Sequence, residues 1–272
     1  MKILIIGGGN MGLTYAQSFL RSQITNQADM MILEKSPEKA MLLAAKGVGT
    51  VCNNPADCLR QADLVIFAVK PQDCTTLFES IRPYVSNEQV FLSIMAGIRI
   101  DTICENLNVT KVIRAMPNLP AQVGLGMTAF TSSDEVTRIE LVMVQNLINT
   151  TGKSIYVKDE KAIDASTAIS GSGPAYVYHF MNAMIEAAKG MGFSNSEAEL
   201  LVSQTFKGAV DLYTKSNFTC EEWISKVASK GGTTEAAIAS FIDNKVASDI
   251  IEGANAAYNR AVELGWVEVP KS

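Results

Sequence analysis

An apolar run that breaks into spaced glycines dominates this sequence: Lys2-Ile3-Leu4-Ile5-Ile6 leads straight into Gly7-Gly8-Gly9-Asn10-Met11-Gly12 and then into a helix-like segment. The run from Ile3 to Ile6 reads as a strand buried within a parallel sheet. In a Gly-x-Gly-x-x-Gly turn, Gly7 permits the tight bend, Gly9 lets the backbone approach a pyrophosphate, and Gly12 lets the next helix pack close to the strand. The free N–H groups at the start of that helix would face phosphates. A second apolar run, Met30-Met31-Ile32-Leu33, ends in Glu34, 22 positions after Gly12, near where an acidic side chain meets an adenosine ribose. Strand, turn, helix and acid in this order point to a dinucleotide site.

Up to about residue 160, short apolar runs alternate with amphipathic helices, the pattern of a parallel sheet covered on both faces. Candidate strands are Lys2 to Ile6, Met30 to Leu33, Leu64 to Val69, Gln89 to Ile94, Lys111 to Arg114, Met127 to Thr131 and Ser154 to Val157. After Asp159 the chain turns to long runs rich in Ala, Met, Glu and Lys, such as Ala183 to Lys189, Glu197 to Tyr213 and Ala247 to Leu264. The expected architecture is an α/β Rossmann-like N-terminal domain over residues 1–160 and an all-α C-terminal domain over 161–272. A helical domain that small struggles to bury its apolar surface alone, which predicts pairing with a second copy.

With 272 residues, 47% of them hydrophobic and 19% charged, the chain has material for one large or two ordinary cores. The net charge of −5 argues against a nucleic-acid or anionic-membrane surface. No apolar stretch reaches the roughly 20 residues that a membrane-spanning helix needs, and a cytoplasmic location is expected. Cys52, Cys58, Cys74, Cys104 and Cys220 form no C-x-x-C pair, so free thiols are expected and no zinc pattern is present. His179 is the only histidine, set among Tyr176, Tyr178 and Phe180, and reads as a packed aromatic neighbour rather than a general acid.

Further segments place unusual backbone residues at strand ends. Ala68-Val69-Lys70-Pro71 closes the strand after Leu64 and leaves Lys70 at the carboxyl edge of the sheet, where open α/β folds bind ligands. Ser93-Ile94-Met95-Ala96-Gly97 and Arg114-Ala115-Met116-Pro117-Asn118-Leu119-Pro120 would wall the nicotinamide half of a cleft, or simply stiffen a loop. In the helical half, Ser170-Gly171-Ser172-Gly173-Pro174-Ala175-Tyr176 sets hydroxyls and glycines before a helix, with Pro174 suited to its first turn. Ser229-Lys230-Gly231-Gly232-Thr233-Thr234 offers successive glycine N–H groups and a Thr to cap the next helix, a nest suited to a carboxylate. Either segment read singly is also an ordinary capping loop.

Together, Gly7 to Gly12, Ala68-Val69-Lys70-Pro71, Met116-Pro117-Asn118-x-Pro120, the Ser170 to Tyr176 stretch and Gly231-Gly232-Thr233-Thr234 resemble the pyrroline-5-carboxylate reductase family over essentially the full length. The resemblance implies reduction of 1-pyrroline-5-carboxylate to L-proline by NADPH or NADH, the last step of proline synthesis. It implies an N-terminal cofactor domain and a C-terminal helical dimerisation domain, within a homodimer or a larger homo-oligomer. The loop from Ser229 through Lys230, Gly231, Gly232 and Thr233 to Thr234 would hold the substrate carboxylate. Thr234 would hydrogen-bond the ring nitrogen, and Ser172 joins it as a catalytic candidate. Asn54 would face the adenosine side of the cofactor. Many members carry Ser-Pro-Gly-Gly where this chain has Ser229-Lys230-Gly231-Gly232, so the stiff entry to the loop is missing.

Reducing a cyclic imine needs a hydride at carbon and a proton on nitrogen, and an imine is basic enough to be substantially protonated near neutral pH. A strong side-chain acid is therefore not essential. Glu34 favours NADH through its carboxylate, whereas Lys35 and Ser36 would welcome a 2′-phosphate, so activity with both cofactors is expected. A rival reading is a β-hydroxyacid dehydrogenase, but at the place of that class's catalytic Lys this chain has Val177. A non-catalytic cofactor-binding protein is the other alternative.

Overall fold

The computed structural model describes residues 1–265. Two compact units make up the chain: the first spans 1–172 and regains the chain from residue 257, and the second is 173–256. The first unit thus runs on past the composition change at Asp159.

Its centre is an eight-stranded sheet: β1 (Ile3–Ile6), β2 (Met30–Leu33), β3 (Thr50–Cys52), β4 (Leu64–Phe67), β5 (Val90–Ser93), β6 (Val112–Met116), β7 (Gly126–Ser132) and β8 (Gly152–Tyr156). The spatial order is β3-β2-β1-β4-β5-β6-β7-β8. The chain winds outward from β1 in one direction, then returns to β4 and winds the other way. This reversal leaves a crevice beyond the carboxyl ends of β1 and β4, the switch point of a doubly wound fold. The seven expected strands are all present, with ends shifted by at most two residues and Met30–Leu33 matching at both ends. β3 is an addition, since Thr50-Val51-Cys52 is too short to stand out by periodicity. The sheet also departs from the all-parallel expectation, because β7 runs antiparallel to β6.

Every residue of β1, β2, β4 and β5 is buried, as strands covered on both faces require. Alternate side chains feed two cores. Leu4, Ile6, Val65 and Phe67 join α3 (Cys74–Ile81) and α4 (Ile100–Leu107) on one face. Ile3, Ile5, Leu64 and Ile66 join α1 (Asn10–Arg21) and α5 (Arg138–Asn149) on the other. Phe67 anchors the first core, with its ring 5.7 Å from that of Phe78 and 5.8 Å from that of Phe91.

After β2, helix α2 (Pro37–Ala45) starts from Ser36, whose hydroxyl caps the Lys39 N–H. After β8 the short α6 (Lys161–Ser166) passes into one π-helical turn, Thr167–Gly171. Asp164 of α6 and Glu160 before it meet Arg114 of β6, which is 1% exposed, at 2.6 and 2.8 Å.

The second unit is helical: α7 (Gly173–Gly190), α8 (Asn195–Thr214), α9 (Cys220–Val227), α10 (Thr233–Asp243) and the larger part of α11 (Val246–Gly265). Ser194 and Thr219 open α8 and α9 with reciprocal capping boxes to Glu197 and Glu222. Its apolar side chains are not covered within one chain. Met191, Leu200, Val227 and Ile242 are all at least 64% exposed, and its buried residues include only small or single ones such as Ala198 and Val202. His179 is exposed too: it shares a groove with Tyr176, Phe180 and Asp249, so it lies beside aromatics as expected but at the surface rather than packed.

Candidate functional site

At the carboxyl end of β1, Gly7 has φ of +101°, and a side chain there would come within 2.8 Å of the Ala68 carbonyl oxygen. Only glycine meets both demands. A Cβ on Gly12 would overlap the Gly7 carbonyl oxygen, so α1 lies directly against the turn. Gly9 differs: an added Cβ would meet nothing within 4 Å. It is the N-cap of α1 without a side-chain capping bond, and the first-turn N–H groups of Asn10, Met11 and Gly12 follow it. Asn10 is exposed, while Met11 packs toward the core.

The crevice beside this turn has a volume of about 450 Å³. Gly7, Gly9, Glu34, Lys35, Ala68, Val69 and Lys70 line it, so the glycine turn, the end of β2 and the segment after β4 converge as their order in the sequence predicts. Asn53, Pro55, Asp73, Thr76 and Leu77 also line it and carried no motif that would have marked them. Lys70 is exposed, and Pro71 opens a short 3₁₀ turn after it.

Glu34 is buried, and its carboxylate is already engaged. One oxygen accepts from the Gly8 N–H at 3.1 Å and the other from the Ser36 N–H at 3.0 Å. The acid therefore stitches the glycine turn to the start of α2 while lining the crevice. Lys35 pairs with Asp73 at 3.0 Å across the crevice rim. Asn54 is exposed and caps a short turn through the Ala56 N–H at 3.0 Å, with its neighbours Asn53 and Pro55 on the crevice wall.

The second expected wall is partly internal. Met95 is 2% exposed and packs into the core, whereas Ala96 is half-buried and Gly97 turns with φ of +77°. Pro117 is buried. The Asn118 amide is bonded at both ends, donating to the Ser170 carbonyl at 3.0 Å and accepting from the Met127 N–H at 2.8 Å. Met116 lies against Gly171, where a Cβ would come within 2.8 Å of its Cε. Ser172 caps the π-turn, donating its N–H to the Thr167 carbonyl at 2.8 Å. The serine-glycine segment is thus a wide helical turn rather than a loop, with Pro174 as the second residue of α7.

The Ser229–Thr234 segment corrects one expectation. Gly232, not a threonine, is the N-cap of α10, and no side chain caps it. The two glycine N–H groups are not free: Gly231 donates to Glu235 Oε2 at 2.6 Å and Gly232 to the Ser229 carbonyl at 2.9 Å. Gly231 has φ of +73°, which lets the chain turn so. What the turn offers a ligand comes instead from the start of α10, where Thr233 and Thr234 open the first turn. Ser229 and Lys230 are exposed, and Thr234 is half-buried.

Cys58 and Cys104 are poor nucleophiles. Burial pushes Cys58 up to about 12 and Cys104 up to about 11, the latter helped by nearby carboxylates. Among the described residues there is no group of three or more His, Cys, Asp or Glu placed to hold a metal ion. No described helix is long and apolar enough to cross a membrane.

Residues 160–264 match the family profile described as pyrroline-5-carboxylate reductase dimerisation, and residues 2–97 match one described as NADP oxidoreductase coenzyme F420-dependent. Pyrroline-5-carboxylate reductase 2 of Bacillus subtilis is 33% identical, over 97% of this chain and 95% of the relative. Pyrroline-5-carboxylate reductase of Pseudomonas aeruginosa is 33% identical, over 97% of this chain and 96% of the relative. Among solved structures, the Plasmodium falciparum pyrroline carboxylate reductase with NADP bound superposes with a TM-score of 0.88 at 27% identity. That match covers 97% of this chain and 98% of the other. The Coxiella burnetii enzyme gives a TM-score of 0.89 at 29% identity, with the same coverage.

Proposed function

The chain belongs to the pyrroline-5-carboxylate reductase family, and from that premise we propose how its own residues serve the family's reaction. The reaction is reduction of the carbon–nitrogen double bond of 1-pyrroline-5-carboxylate to give L-proline, with NADPH or NADH as reductant. The observation that carries the reading is the crevice at the end of β1. Its glycine turn leaves the space at Gly9 open, and α1 begins there with an uncapped N-terminus. A pyrophosphate fits that cradle by close backbone approach and by the partial positive charge of the helix start. Glu34 holds the turn in shape, and Lys39 supplies positive charge at the rim for an adenosine phosphate, joined by Lys35 when the phosphate displaces its Asp73 partner.

The reduced nicotinamide, when bound, supplies the hydride. The protein's part is to orient, to anchor and to keep the nitrogen protonated. Ser229, Lys230 and the first-turn N–H groups of Thr233 and Thr234 hold the substrate carboxylate, while Gly231 and Gly232 shape the turn. The Thr234 hydroxyl hydrogen-bonds the ring nitrogen, and Ser172 offers a second hydroxyl. Val69, Ala96, Met116 and Pro117 shape the reductant's end of the site. Because the imine nitrogen takes its proton near neutral pH, placing the reacting atoms in contact is the main catalytic contribution.

Residues 1–160 serve the cofactor, and residues 161–272 serve the substrate and pairing. A homodimer, on its own or within a larger ring, covers the apolar helices that one chain leaves exposed. Free thiols accord with a reducing cytoplasm. Following NADPH and NADH absorbance with purified protein and 1-pyrroline-5-carboxylate tests the reading. Substrate-dependent oxidation with proline as product supports it, and oxidation that is absent with both cofactors refutes it.

A further inference from the structure

The π-turn Thr167–Gly171 contains a hydrogen-bonding gap that the sequence itself creates. In a continuing helix the Ser170 carbonyl would accept from the N–H four residues on, but that residue is Pro174, which has none. The Asn118 Nδ2 donates to this carbonyl at 3.0 Å, while its Oδ1 accepts from the Met127 N–H at 2.8 Å. One side-chain amide thus joins the turn after β6, the start of β7 and the π-turn. The same turn is held from its other sides. Ser172 donates to the Thr167 carbonyl five residues back, the Ser170 hydroxyl bonds the Ser166 carbonyl at 3.0 Å, and Met116 fills the space over Gly171.

We propose that Asn118 is a positioning residue: it replaces the hydrogen bond that Pro174 withholds, and so fixes the rotational setting at which Ser172 is presented to the reacting imine. A π-turn offsets every following side chain relative to a plain helix, which is why such turns recur at functional sites. An offset left without its acceptor's partner would relax, and Ser172 would swing with it. This inference rests on the reading that Ser172 faces the substrate.

The test compares the parent with Asn118→Ala, Asn118→Asp, Pro174→Ala and the double variant Asn118→Ala with Pro174→Ala. Asn118→Asp keeps the acceptor for Met127 while losing the donor, and serves if the alanine variant does not fold. The expected result is a KM for 1-pyrroline-5-carboxylate raised about tenfold in both Asn118 variants, with the KM for NADPH within twofold of the parent. Pro174→Ala alone stays within twofold of the parent. In the double variant the restored N–H at position 174 returns most of the loss. Asn118 variants that match the parent, or a loss that Pro174→Ala leaves unrepaired, overturn the proposal. Backbone amide exchange across residues 170–173 separates this from the reaction itself. Even for a parent inactive on this substrate, faster exchange in Asn118→Ala and recovery in the double variant support the pinning role, and unchanged exchange overturns it.

Discussion

Replacing Gly9 and Gly12 one at a time by alanine separates binding from folding at two positions three residues apart. At Gly9 the backbone has φ of −70° and ψ of −172°, which alanine adopts freely, and the new methyl meets no protein atom within 4 Å. Alanine gains roughly 0.4–1 kcal/mol by restricting the unfolded chain and loses part of that as a poorer N-cap, for a net change within about 0.5 kcal/mol. Yet the methyl projects into the crevice where a pyrophosphate has to approach the backbone. Taking the overpacking cost of roughly 1–3 kcal/mol, cofactor binding weakens roughly 5- to 150-fold. Gly12→Ala does the reverse. Its methyl collides with the Gly7 carbonyl oxygen, a backbone atom with no rotamer to escape into, and meets Ile5 Cγ2 at 3.2 Å. The same cost then falls on the fold, and Tm drops by roughly 2–12 °C at about 2–4 °C per kcal/mol. Thermal melts without ligand, followed by fluorescence titration with NADPH, read the two effects apart. A Gly9→Ala protein that binds NADPH like the parent, or a Gly12→Ala protein that melts like it, refutes the assignment of these two glycines.

Asp164→Ala leaves the Arg114 guanidinium buried with only Glu160 as partner, and the urea midpoint should report a loss of roughly 3–5 kcal/mol. The pair Arg114→Met with Asp164→Leu should lose far less, and a double variant as unstable as the single one contradicts that. Thr234→Ala should lower turnover roughly ten- to a thousandfold, as loss of one oriented donor does, and unchanged turnover removes Thr234 from the chemistry. Burial raises the Glu140 pKa, but Lys111 at 2.8 Å and the Thr137 cap outweigh it and hold the carboxyl below its ordinary value. Its stabilisation is therefore full above its unfolded pKa and fades as pH falls through the lower folded value. Glu140→Gln should cost about 1 kcal/mol at pH 7 and nothing once the parent carboxyl is protonated, and a gap persisting in acid contradicts the linkage.

Legibility in the sequence followed locality. The glycine turn, β1 and Glu34 were readable because one run of residues carries both the strand and the spacing that a dinucleotide requires. The position of Lys70 at a sheet edge was readable from Pro71. β3 was not, since three residues show no period, and the reversed direction of β7 depends on its partner rather than on its own composition. Glu34 was identifiable as the acid after β2, but its bonds to the Gly8 and Ser36 N–H groups exist only once the turn has formed. Gly231 and Gly232 read as free donors because nothing local announces that Glu235, four and three residues on, turns back to meet the first of them. Arg114 looked like one more strand residue, and its partners Glu160 and Asp164 lie 46 and 50 positions away. Contacts of that span belong to tertiary structure alone.

The destination of the hydride tests the account most directly. With NADPH dideuterated at C4 of the nicotinamide and unlabelled 1-pyrroline-5-carboxylate, mass spectrometry of the product should find one deuterium in proline, on the ring carbon beside nitrogen and remote from the carboxylate. Proline without the label, or cofactor oxidised with no proline formed, would contradict direct transfer to the imine carbon.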